Sequence, residues 1–87
     1  MKHNCGRYDD LLFDIDSTAR QKAREEKRDH KHETTKSRLT DIIMLCKAVE
    51  DSLSHNDVEA ARNASVEMAA TAMLLADKIE MKEETVK

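Results

Sequence analysis

The sequence predicts an all-α protein: an antiparallel αα-hairpin over about residues 38–54 and 57–83, preceded by a charged N-terminal helix and assembling as a helical oligomer. Three observations carry this. There is no proline, and Gly6 is the only glycine, so the chain lacks the punctuation that strands, tight hairpins and phosphate-cradling loops require. Apolar residues recur at steps of three and four through two long stretches of the second half, the spacing of one face of a helix. The last of these stretches is apolar on two faces. A domain of 87 residues buries only about two thirds of its unfolded surface, so a second face needs a partner, and the nearest one is a copy of the same chain.

Tyr8, Leu11, Leu12, Ile15, Ala19 and Ala23 form a first stripe at helical spacing, which fades into the charged run from Arg24 to Glu33. Pairs at i,i+4 such as Asp16/Arg20 and Lys22/Glu26 support a helix there, each by only a few tenths of a kcal/mol. The single domain spanning 1–87 is therefore expected to divide into a charged segment 1–36, either more mobile than the rest or ordered only by docking on a partner or sister chain, and a hairpin core over 37–84. Thr34-Thr35-Lys36-Ser37 marks the break between them. Hydroxyl side chains compete for backbone groups and cap helix starts, with Ser37 the expected N-cap.

Leu39, Ile42, Cys46, Val49 and Leu53, with Ile43 beside them, make the second stripe, which stops at Ser54-His55-Asn56-Asp57. Asn56 can take the left-handed conformation that ends a helix; Asp57 can cap the next start, and Glu59 falls in its first turn, where it suits the helix dipole. Val58, Ala61, Ser65, Met68, Ala72, Leu75 and Ile79 then form a seam that should lie lengthwise on the preceding helix, Leu53 near Ala61 and Leu39 near Leu75. Val66, Ala70, Met73, Leu74 and Met81 form the second face, a third to a half of a turn away. That face is the expected oligomer interface, with Met44 as a contributor because it lies opposite the Leu39/Cys46 stripe.

Charge is segregated along the chain. Residues 1–19, 20–38 and 39–87 carry net charges of −2, +4 and −5. If the middle block is helical, Arg20, Arg24, Lys27, Arg28 and Lys31 share a basic stripe, with Glu25, Asp29 and Glu33 on another. Such a stripe suits an acidic protein surface, including that of a neighbouring chain, or a phosphorylated ligand. Interspersed acids and the absence of interleaved aromatics weaken a nucleic-acid footprint.

Enzyme and metal chemistry find little support. His3 with Cys5, and His30 with His32, are the only clusters of metal-ligand type, and helical residues two apart point to opposite sides, so the spacing builds no zinc site. Cys46 sits in an apolar stripe and reads as a small buried hydrophobe. Two cysteines so placed are ordinary for reduced thiols. No cofactor is implied. No apolar run approaches the roughly 20 residues of a membrane span, and Met1-Lys2-His3-Asn4 leads into charge, so the expected compartment is the cytoplasm.

Glu67-Met68-Ala69-Ala70, leading into Leu74-Leu75-Ala76-Asp77-Lys78-Ile79, resembles the last metal-binding helix of the MazG-like nucleotide pyrophosphohydrolases, which carries Glu-x-x-Asp before an apolar stretch. Ala70 stands where the second carboxylate belongs, and no Glu-Glu-x-x-Glu precedes it, Asp41 and Glu50 being too far apart. The resemblance therefore implies a helical bundle without the magnesium chemistry. In size and in its C-terminal helix with Met73 and Ile79, the chain is also similar to small phage proteins that assemble and sequester cyclic-nucleotide signals.

The expected function is that of a non-enzymatic, homo-oligomeric interaction protein, an accessory or inhibitor of the phage or mobile-element kind that occludes a larger host or phage protein. The alternative is an oligomeric module that binds nucleotide signals or RNA through the basic stripe.

Overall fold

The computed structural model describes residues 3–28 and 34–86, with side chains placed for 8–28 and 34–81. The described residues form three helices, α1 (His3–Arg28), α2 (Thr35–Ser54) and α3 (Val58–Val86), and no strand.

α2 starts three residues before the cap expected at Ser37. Thr34 is the N-cap, with φ −95° and ψ 168°, and its Oγ1 accepts from the Ser37 backbone N–H at 3.0 Å while Ser37 Oγ accepts from the Thr34 N–H at 3.2 Å. Ser37 thus plays the returning role that Glu or Gln usually fills in a capping box. Thr34→Ala should lower stability by about 1 kcal/mol, read as a fall in the thermal midpoint; an unchanged melt would show that water replaces the cap at no cost.

The chain reverses over three residues. Asn56 takes φ 60°, the left-handed conformation that its place in the sequence suggests, and the Asp57 N–H donates back to Ser52 O at 2.8 Å. Asp57 Oδ1 then accepts from the Ala60 N–H at 3.1 Å, capping α3, and Glu59 sits in the first turn.

α3 lies between the other two helices and packs on both. α1 runs in the same direction as α3: Asp14 meets Arg62 at 2.6 Å and Lys22 meets Glu67 at 2.9 Å. Further along, Ala23 and Glu26 share a cleft with Leu74 and Asp77. These pairs replace a local one expected from sequence. Lys22 reaches α3 and Glu26 reaches Arg38 on α2, at 2.8 Å, whereas Asp16 and Arg20 pair within α1 at 2.9 Å as the i,i+4 spacing anticipates.

The interior is made of small side chains. Among the described residues the buried apolar set is Ala19, Ala61, Val66 and Ala70, joined by Thr71 and Arg38. The sequence-based seam is rotated outward: α2 turns Arg38 inward, with Ile42, Leu45 and Val49 half-buried, and leaves Leu39, Cys46 and Leu53 exposed. On α3, Ala61 is buried and Met68 and Leu75 are half-buried, whereas Val58, Ser65, Ala72 and Ile79 face solvent. Small residues let backbones approach closely, and a centre of alanines is what allows α3 to touch two helices at once. Cys46, expected to be a buried hydrophobe, is exposed.

Candidate interaction surface

The residues proposed for oligomerisation do not stay together. Val66 and Ala70 are covered within the chain, Ala70 to 0% exposure, because α1 lies along that side of α3, tied to it by the Asp14–Arg62 and Lys22–Glu67 bridges. Leu74 is half-buried beside the same cleft, and only Met73 and Met81 remain exposed. Met44 is exposed on the side of α2 turned away from α3.

The basic stripe is where helical spacing puts it. Arg20, Arg24, Lys27 and Arg28 are exposed on α1. They lie on the side opposite Ile15, Ala19 and Lys22, which face α3. Arg20 is tied to Asp16, and Arg24, Lys27 and Arg28 border a shallow depression with Gln21 and Glu25. Lys31, His30 and His32 lie outside the described residues, as do the side chains of His3 and Cys5.

What spacing alone did not reveal is the side of the α2–α3 pair turned away from α1. At 100° per residue, Leu53, Cys46 and Leu39 sit roughly 60–100° round α2 from Arg38. Because α2 runs against α3, this displacement carries them away from α1. Val58, Ser65, Ala72 and Ile79 lie on the matching side of α3, past the residues that meet α2. Both sets repeat every seven positions, so each drifts only about 20° per repeat and forms a line along its helix. The large members are widely exposed, Leu53 to 56% and Val58 to 70%, and Ile43 extends the patch on α2. None of these seven positions is charged, and the exposed Glu50 borders them on α2, between their line and Ile43.

At the other end of the molecule a cleft of about 460 Å³ lies between the end of α1, the start of α2 and α3. Arg38 and Lys78 line it together with Glu26 and Asp77; balanced charge gives no directed attraction for an anion or a cation. Among the described residues no three His, Cys, Asp or Glu side chains converge on a point that could hold a metal ion. Glu67 is engaged with Lys22, and Ala70, where the resemblance to the nucleotide pyrophosphohydrolases would place a second carboxylate, is buried. No described helix is long and apolar enough to cross a membrane. No protein-family model, curated protein or solved structure matches this chain.

Proposed function

We propose that the protein acts by contact and not by turnover, as a small self-associating helical protein of the accessory or inhibitor kind made by phages and mobile elements, which covers a surface of a larger partner in the cytoplasm. One observation carries this reading: the chain buries alanines and exposes Leu12, Phe13, Ile43, Leu53 and Val58, an inside-out distribution that suits a protein completed by others. The outward basic stripe of Arg24, Lys27 and Arg28 supplies the polar half of the contact, matched to acidic groups on the partner. A phosphorylated ligand, RNA or nucleotide, is the second reading, favoured by the exposure of the same cations. Steep weakening of binding with salt separates the two, because phosphate contacts release counterions and an apolar contact does not.

The test is capture of the partner from the native host by the tagged wild type and by an Arg24→Glu/Arg28→Glu variant. The variant should lose capture while keeping its circular-dichroism spectrum. Full capture by the variant would remove the basic stripe from the contact, and metal-dependent consumption of a nucleotide by the wild type would replace the reading with an enzymatic one.

A further inference from the structure

We infer that the open side of the α2–α3 pair is a self-association face, and that its occupant is a second copy of this chain related by a two-fold axis, so that two α2 and two α3 helices enclose a shared core. This deepens the contact reading above and rests on it. Leu39, Cys46 and Leu53 on α2, with Val58, Ser65, Ala72 and Ile79 on α3, would line that core.

The first support is periodicity. A seven-residue repeat keeps a face in line with a partner helix over its whole length, and both helices carry one on the same side, beyond the residues used to pack α2 on α3. Among the described residues nothing covers these two lines. A single interior face has no need of them, whereas a four-helix bundle packs helices along seams of this kind.

The second is the size profile. Because α2 and α3 run in opposite directions, Leu39 lies at the end of the patch near Ile79, and Leu53 at the other end near Val58. Cys46, Ser65 and Ala72 occupy the middle. Large ends and a small centre map onto themselves under a half-turn about the centre, which is the condition for an isologous contact in which both copies use the same patch. The small centre allows close approach, and the large ends meet large ends.

The third is area. The chain exposes 6975 Å², about 1,800 Å² more than the roughly 5,200 Å² expected of a compact monomer of its mass. Its radius of gyration is 14.8 Å, where a compact chain of this length gives about 12 Å. Obligate dimers bury roughly 1,000–2,500 Å² per partner. That excess is spread over the whole chain, and the share on this face belongs to the exposed Leu39, Leu53, Val58 and Ile79.

Sedimentation equilibrium of the full chain at micromolar concentration should give twice the 9.9 kDa of the chain, and Leu39→Glu/Ile79→Glu should halve the mass. Met44→Glu and Phe13→Glu, exposed elsewhere, should leave the dimer intact. In case the double variant fails to fold, the native protein supplies its own probe. Cys46 lies on the face, so its alkylation by a maleimide, read by peptide mass spectrometry, should slow as protein concentration raises the dimer fraction. A wild type of 9.9 kDa at all concentrations would overturn the inference and leave the contact reading to the Arg24→Glu/Arg28→Glu test. An associating wild type whose Cys46 reacts equally fast at every concentration would overturn it too, by moving the interface elsewhere. So would a monomeric wild type that loses host-protein capture on Leu39→Glu/Ile79→Glu, which would give the face to a foreign helix.

Discussion

Glu26→Ala should destabilise the protein by about 2–4 kcal/mol, whereas Arg38→Met should change stability by less than about 1 kcal/mol in either direction. Arg38 is 5% exposed, and its Nη2 donates to Glu26 Oε1 at 2.8 Å. Removing the carboxylate leaves a largely buried guanidinium without its acceptor at the wall of the cleft between α1, α2 and α3. The expected loss lies below the 3–5 kcal/mol of a fully buried pair because the Glu26 side chain is 22% exposed. Replacing the arginine instead removes the buried charge along with its demand for a partner. It also relieves the Arg38 Nε, which is buried without an acceptor, and Met fills comparable volume with apolar atoms. A domain of this size has roughly 4–13 kcal/mol in all, so the Glu26 variant should be visibly softened in urea. Combining the two changes should cost less than Glu26→Ala alone, since the stranded charge is gone. Equal losses from both single variants, with additivity in the double, would show that the pair acts only through packing.

Ala70→Leu should release α1 from α3 at a cost of about 1–3 kcal/mol. Ala70 is fully buried on the side of α3 that α1 covers, and Ala19 is the only buried apolar residue of α1 among those described. Full burial of Ala70 leaves no room for three further carbon atoms, and α1 is held on α3 by this narrow apolar strip and two ion pairs, Asp14–Arg62 and Lys22–Glu67, with Glu26–Arg38 tying its last turns to α2. Both bridges are partly exposed, which limits each to about 1 kcal/mol or less. Hydrogen exchange should therefore quicken through α1 while α2 and α3 keep their protection. Ala70→Gly separates propensity from packing: it costs about 1 kcal/mol through the helix itself without pushing α1 away. Unchanged exchange in α1 of the Leu variant would mean that the α1–α3 contact adapts freely at this point.

The sequence by itself determined the helical class, the reversal around Asn56 and the outward basic stripe on α1. Each follows from local chemistry. Helices follow from apolar spacing in a chain without proline, the left-handed turn from an asparagine where the stripe stops, and the stripe from charges three and four apart. It also showed that α3 is apolar on two faces. Which face stays inside was decided only by the tertiary structure. A three-four pattern reports that a side of a helix avoids water and carries no information about what covers it. Val66 and Ala70 are covered by α1, whereas Val58 and Ile79, with Leu39 and Leu53 on the neighbouring side of α2, are left open. Arg38 was illegible for the same reason. A charged residue next to an apolar stripe reads as solvated until a carboxylate twelve positions earlier is brought to meet it, and only the packing of α1 beside α2 and α3 does that.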